Sequence, residues 1–289
     1  MGPMAPERRA AYLARLGLEP EPPSIDALRR LHQAHAERVP YETLWIHLGE
    51  PVGIDPASSV LRLSTQRRGG YCFHLNGALG ALLRSLGYDV TGHVGGVHGP
   101  IGPATGDLTN HLVLTVDGLP SDANPGGRWY VDVGLGDALH APLPLVAGVY
   151  HQAPFRLELE ETPGGVGDWH LEHDPRGGFA GMAWRSARAE MDQFADRHRW
   201  LSTSPDSGFV RVLTVQQRDA TGVDVLRGLT LQRIGGTDGP VTLTTQVEVF
   251  DVLGDLFGLD VTPVDAPARR LLWDRLRSTH ETWEAASRP

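Results

Sequence analysis

Leucines at positions 75, 79, 82, 83 and 86 recur every three or four residues behind Gly69-Gly70, and Gly87 follows them. That spacing predicts an amphipathic helix that starts near Cys72 and stops at a left-handed glycine. The segments before it are helical too. Ala11, Leu13, Leu16 and Leu18 run up to a proline-rich break at 20–23, Ser24 is placed to cap a second helix carrying Leu28, Leu31 and His32, and Pro40 ends it. From Tyr88 the period changes to two. Short alternating runs at 88–94, 111–116, 129–133, 155–161, 168–173 and 179–184, separated by Gly and Pro, predict antiparallel strands of a small barrel or curled sheet. Beyond them the pattern predicts a helix at 189–200, a turn through Ser202-Thr203-Ser204-Pro205-Asp206, strands at 209–218, 224–234 and 241–248, and helices near 253–259 and 266–283. The expected class is α+β in three units: helical 1–88, antiparallel β 89–188, and mixed 189–289.

Composition changes this picture little. The 289 residues are 40% hydrophobic, ordinary for a globular chain, and the formal net charge of -9 argues against nucleic acid or an anionic membrane as partner. Arg84, Pro142 and Gly148 interrupt the longest apolar stretches, and Glu7, Arg8, Arg9 and Arg15 leave no apolar core for a signal peptide. A cytoplasmic protein acting on a small neutral or basic molecule is expected.

The single cysteine forbids an internal disulfide and a multi-thiolate metal site. Cys72 is therefore a buried filler, an inert thiol or a nucleophile. Arg67 and Arg68 upstream, the paired glycines and the helix start favour a thiolate, since cations and a helix N-terminus both stabilise it. Gly69 and Gly70 would allow close backbone approach or a positive φ. A nucleophilic cysteine needs an imidazole base and a group to orient it. His111 opens one strand, Asp132 lies in the next, and residues 117–127 between them form a turn-rich loop. With Leu114 opposite Trp129, His111 would face Asp132. A carboxylate in the apolar run Tyr130-Val131-Asp132-Val133 also needs a buried partner. The bland alternative is a strand-ending Asp132 and a satisfied core His111. His93 and His98 bracket a glycine pair that could line a cleft; His170, His173 and His198 lack metal-ligand spacing, so no metal is expected. No phosphate loop or dinucleotide fingerprint is present.

Arg68-Gly69-Gly70-Tyr71-Cys72 with Asn76, then Asn110-His111, then Val131-Asp132-Val133-Gly134 resemble the three signature stretches of the arylamine N-acetyltransferases. Val39-Pro40-Tyr41-Glu42-Thr43-Leu44 resembles that family's N-terminal segment, and the likeness runs from about Tyr12 to Val261. The resemblance implies an N-terminal helical bundle, a central antiparallel β-barrel and a C-terminal α/β lid. It implies a Cys72, His111, Asp132 triad, with Arg68, Gly69, Gly70, Tyr71, Asn76, Tyr41 and Leu135 in support or along the substrate cleft. It also implies acetyl-CoA or another acyl-CoA as co-substrate, no permanently bound cofactor, and ping-pong transfer to an arylamine, hydrazine or related amine.

Two positions depart from the family pattern. His74 stands where an acidic residue is usual, so a structural salt bridge is expected to be lost or rebuilt, and Leu135 replaces a common aromatic, which would relax the cleft wall. The second departure brings in an alternative, an amide synthase releasing or cyclising an acyl chain held on an acyl carrier protein. A cysteine hydrolase and a non-catalytic binding protein are the other readings.

Overall fold

The computed structural model describes residues 4–99 and 108–287; residues 1–3, 100–107 and 288–289, which belong to the three expected units, lie outside the described residues. The chain opens with α1 (Pro6–Leu16), α2 (Ile25–Arg38), the two-residue strand β1 (Tyr41–Glu42), α3 (Leu44–His47), α4 (Pro56–Ser64) and α5 (Cys72–Ser85). The Ser24 hydroxyl caps α2 by accepting from the Ala27 amide at 3.1 Å, and Gly87 takes φ +93° behind α5. Helices α3 and α4 are additions to the expected pattern. For α4 the start signal is local: Asp55 accepts from the Ser58 amide at 2.8 Å and Pro56 occupies the first turn.

Eight antiparallel strands follow: β2 (Asp89–His98), β3 (His111–Asp117), β4 (Trp129–Val131), β5 (Leu143–Pro144), β6 (Gly148–Gln152), β7 (Phe155–Glu161), β8 (Trp169–Glu172) and β9 (Gly181–Arg188). Their spatial order is β5-β4-β3-β2-β9-β8-β7-β6, so the two edge strands are consecutive in the chain and residues 145–147 join them. The sheet therefore curls into a nearly closed barrel. The β3–β4 register differs from the expected one. Leu114 pairs with Val131 and Val116 with Trp129, a shift of two residues that keeps every side chain on its expected face and sets His111 diagonal to Asp132.

The last third contains a 3₁₀ turn at Met191–Phe194, α6 (Ala195–Thr203), α7 (Gly208–Arg211), β10 (Thr214–Arg218), β11 (Val223–Arg227), β12 (Thr230–Ile234), β13 (Val241–Thr242), α8 (Gln246–Asp251), a π-helical turn at Val252–Leu256 and α9 (Ala266–Ser287). Three expected long strands are thus shortened or split. Ser207 caps α7 within 209–218, Gly228 at φ +61° turns the chain inside 224–234, and a Thr245/Glu248 capping box starts a helix at Gln246, leaving only Val241–Thr242 of 241–248 as strand. Sheet order is β1-β10-β11-β12-β13, so β1 from the first third forms an edge of the C-terminal sheet.

Three cores result. Leu75, Leu79, Leu82 and Leu83 of α5 are fully buried against Leu112, Leu114, Trp129 and Val131. Burying those four leucines contributes roughly 6–12 kcal/mol as an upper bound, and it holds the start of α5 against the barrel. The other barrel face packs Val113 and Tyr130 with Leu135, Phe155 and Trp184. The third core joins Leu44 to the C-terminal sheet and to Phe250, Phe257 and Leu272.

Candidate active site

Cys72 is the first residue of α5 and is 4% exposed. The loop before it is pinned from beneath. A Cβ on Gly69 would lie 2.0 Å from the Pro40 carbonyl oxygen, and one on Gly70 would overlap the His74 ring. Neither glycine has a positive φ, so close approach is what excludes a side chain here. The Gly69 carbonyl accepts from Arg62 Nε at 2.8 Å, and the Gly70 carbonyl accepts from the Glu42 amide at 2.9 Å. Arg68 turns away from the thiol. Its NH1 donates to Glu50 at 3.0 Å and its Nε lies 3.8 Å from Glu42, which also pairs with Arg62 at 2.8 Å. The expected cation beside Cys72 is thus neutralised in a buried Arg–Glu cluster that supports the glycine turn.

Tyr71 occupies the N-cap, stacked on Trp45 at 5.7 Å and 5.3 Å from Phe209, with its hydroxyl on His198 Nδ1. His74 takes the reach-back position of a capping box, its Nδ1 accepting from the Tyr71 amide at 3.3 Å. Burial first, then the Arg62 charge, lowers its pKa to about 3, so the ring is neutral and able to accept. His74 therefore does the capping work a carboxylate could do there, without forming a salt bridge.

Asp132 is buried and receives four donors. Oδ1 accepts from Asn76 Nδ2 at 2.7 Å and from the Gly134 amide at 2.9 Å; Oδ2 accepts from His111 Nε2 at 2.7 Å and from the Tyr130 hydroxyl at 2.9 Å. Both oxygens are thereby satisfied. Asn76 sits one turn after Cys72 on α5, and it also donates to the Leu112 carbonyl at 2.6 Å and accepts from the Val133 amide at 2.9 Å. One side chain therefore ties the helix of the cysteine to both strands of the His–Asp hairpin. Behind Asp132, His32 donates through Nδ1 to the His140 carbonyl at 3.0 Å and accepts the Asp132 amide on Nε2 at 3.3 Å. Burial lowers the His32 pKa to about 4, which keeps that nitrogen an acceptor.

The His111 imidazole donates through Nε2 to Asp132, and Cys72 is near enough to bear on its charge. Burial works to lower its pKa, but the Asp132 charge, the bond to it and then Cys72 outweigh burial and push it up to about 10. The thiol also lies 3.6 Å from the Asn110 carbonyl oxygen. A cysteine, an imidazole and a carboxylate in this order form the constellation that activates a thiol for attack on an acyl carbon.

The chain's likeness to known proteins agrees with that chemistry. Residues 24–266 match the family model described as N-acetyltransferase. An arylamine N-acetyltransferase from Mycolicibacterium smegmatis is 32% identical, over 86% of this chain and 91% of its own. The chain belongs to the arylamine N-acetyltransferase family, and it is an acetyltransferase. An arylamine N-acetyltransferase / N-hydroxyarylamine O-acetyltransferase from Salmonella typhimurium is 36% identical over 56% of this chain and 57% of its own. Among solved structures, the Mycobacterium marinum arylamine N-acetyltransferase in complex with CoA superposes with a TM-score of 0.79 at 28% identity, covering 93% of this chain and 98% of that one.

Within this member of the family, Tyr41 pairs with Gly70 through an isolated bridge, and its ring lies 6.3 Å from Phe209, beside the site. Leu135 is different. It is 7% exposed within the barrel core, so the change from an aromatic is absorbed by packing there. His93, bonded to Ala187 and Thr115, and His173, facing Asp137, serve the barrel instead of the site. No group of three metal-ligating side chains is present among the described residues, and no described helix is long and apolar enough to cross a membrane.

Three contributors escaped the sequence reading: Gly134, Tyr130 and His32. A Cβ on Gly134 would lie 2.7 Å from Cys72 Cα and 2.9 Å from Asn76 Nδ2, so this glycine lets the β4 turn press against the start of α5. The Asp-x-Gly pattern carried that signal; the roles of Tyr130 and His32 had none.

Proposed function

We propose that the protein transfers an acetyl or related acyl group from coenzyme A to an arylamine, hydrazine or similar amine through a thioester on Cys72. In the first half-reaction Cys72 Sγ, its proton taken by His111, attacks the donor thioester carbonyl. A backbone amide in the first turn of α5 takes the developing oxyanion. The tetrahedral adduct collapses by breaking the carbon–sulfur bond to CoA, and His111 returns its proton to the departing thiolate. In the second half-reaction the amine attacks the acyl-cysteine, His111 takes the amine proton, and Cys72 leaves as the thiol. Asp132 orients His111 and stabilises its charged form, and Asn76, Tyr130 and Gly134 hold Asp132.

The observation that carries this reading is the buried His111–Asp132 bond at 2.7 Å, held by Asn76 to the helix that begins with Cys72. The named activity of the relatives and the CoA bound by the Mycobacterium marinum enzyme support the donor class. The test is direct. Acetyl-CoA without acceptor should add one acetyl mass to the peptide holding Cys72, and Cys72→Ser should abolish the adduct. An unmodified peptide across a panel of acyl-CoA donors would overturn the reading.

A further inference from the structure

Backbone pairing between β2 and β3 runs from Asp89 opposite Asp117 to Gly95 opposite His111, and ends there. The same register would next set Val97 opposite Thr109. A side chain takes the Val97 groups instead: the Val97 amide donates to Asn110 Oδ1 at 2.8 Å, and the Val97 carbonyl accepts from Asn110 Nδ2 at 3.0 Å. A carboxamide carries an acceptor and a donor side by side, as a strand residue offers its own carbonyl and amide. Asn110 therefore adds one rung to the ladder after the main chain has left it. Across its other edge Val97 stands opposite Met182 of β9, so the rung is fixed to the barrel wall.

With the side chain making that rung, the main-chain carbonyl of Asn110 points elsewhere. It lies 3.6 Å from Cys72 Sγ, as acceptor of the thiol hydrogen. One residue on, His111 is 2% exposed and its Nε2 donates to Asp132 at 2.7 Å. The Asn110–His111 peptide is thus a single plane whose oxygen faces the thiol and whose next Cα carries the imidazole. Because a peptide unit is rigid, any change in its tilt moves the carbonyl and the His111 Cα together. Pairing with Gly95 holds that Cα, and the two bonds from Asn110 to Val97 hold the tilt.

We propose that Asn110 is a positioning residue for acyl transfer: its side-chain amide, clamped on Val97, sets the Asn110–His111 peptide so that the imidazole keeps its bond to Asp132 and the carbonyl keeps its place at the thiol. The Asn110 side chain touches no reacting atom and acts only through that peptide. Misplacing a reacting group by about 1 Å costs on the order of 10²-fold in rate. An asparagine that merely tied off a strand end would act differently, lowering the folded fraction and with it the activity by one factor at every pH. A positioning residue changes the shape of the pH dependence, because burial works against the His111 charge and the Asp132 charge and bond must overcome it. The kinetic consequence rests on the proposed thioester chemistry; the clamp itself does not.

Two variants test the clamp. Asn110→Ala removes both bonds, and Asn110→Leu removes them while keeping the shape of the side chain. Asn124→Ala is the control, since it deletes a 2.6 Å bond to the Arg128 carbonyl at the far end of the same hairpin. Single-turnover acetylation of Cys72 at saturating acetyl-CoA should slow about 10- to 100-fold in both Asn110 variants, with half-saturation by acetyl-CoA within about twofold of wild type. The control should melt at a lower temperature and acetylate at the wild-type rate. Alkylation of Cys72 by iodoacetamide across pH gives a readout that needs no acyl-CoA. A loosened His111 supports the thiolate less, so the rise of that profile should move up by about half a pH unit or more in the Asn110 variants and stay in place in the control. A folded Asn110 variant that acetylates within about threefold of wild type, or whose alkylation profile changes only in height, would overturn the proposal. Either variant decides if the other does not fold. A wild-type protein whose alkylation depends on Asn110 but which never acetylates would instead refute the thioester reading and leave the positioning role standing.

Discussion

Replacing Asp132 by asparagine keeps the side chain's shape and inverts half of its hydrogen bonding. The carboxylate accepts from four donors, two on each oxygen. An amide has one oxygen, so whichever way it flips its NH2 faces two donors: His111 and Tyr130, or Asn76 and Gly134. Each buried donor left unpaired costs about 1–3 kcal/mol, so Asp132→Asn should lose roughly 2–5 kcal/mol of stability. The effect on His111 is larger in kind. With the charge gone, only Cys72 still opposes burial, and the pKa should fall well below about 10. If the amide nitrogen faces Nε2, the imidazole must carry its proton on the side of Cys72 and cannot accept one there. A wrong tautomer at a triad costs on the order of 10⁴ in rate, so single-turnover acetylation of Cys72 should slow by about 10³–10⁴-fold. The assay is rapid-quench intact mass after mixing with acetyl-CoA, alongside thermal melting to confirm folding. Acetylation within threefold of wild type in a folded protein would refute the assignment of Asp132.

Three further outcomes follow from the geometry. Gly134→Ala forces a methyl to within 2.7 Å of Cys72 Cα, and should cost about 1–3 kcal/mol in thermal or denaturant melts and slow acetylation strongly. His74→Ala removes the reach-back bond and ring packing against Trp45 and Tyr71, and should cost about 2–4 kcal/mol while leaving the Cys72 adduct intact, since no hydrogen bond from His74 reaches the triad. Stability should crest near neutral pH. His32, His35, His47 and His74 have folded pKa values lowered by burial to about 4, 3, 4 and 3, so their unfolded forms gain protons first and stability falls as pH drops below about 6.5. Each contributes a slope of about 1.4 kcal/mol per pH unit between its unfolded and folded pKa, enough together to unfold a typical domain near pH 5. His111, raised to about 10, acts oppositely: its contribution is full below about 6.5 and is lost as pH rises to about 10. Melting temperatures flat from pH 4 to 10 would contradict both limbs.

Helix α5 and the hairpin are legible in the sequence because their apolar residues have clear periods, and β3 and β4 flank an obvious loop. The register is less so. A shift of two residues leaves every side chain on the same face, so alternation cannot distinguish it, and the Ser121–Asn124 bridge in the loop continues the observed register. Strand β6 is an exposed edge with no alternation to read. Helices α4 and α8 did carry signals, Asp55-Pro56 and Thr245 with Glu248, but a short helix hides behind residues that also suit a turn or strand. Arg68 shows the limit for the site: a cation three or four residues from a nucleophile in sequence can belong wholly to another cluster, and only Glu42 and Glu50 reveal it. His32, a hundred residues from Asp132, has no local pattern to announce it.

Under the proposed reaction, the contact between Gly134 and Cys72 makes nucleophilicity a property of assembly. Cys72 belongs to the helical segment and its imidazole and carboxylate to a hairpin that must dock on it. During synthesis, or in a chain loosened by acid, the thiol has an ordinary cysteine's reactivity. Its labelling rate with an electrophile therefore reports, at a single atom, whether helix and barrel have come together.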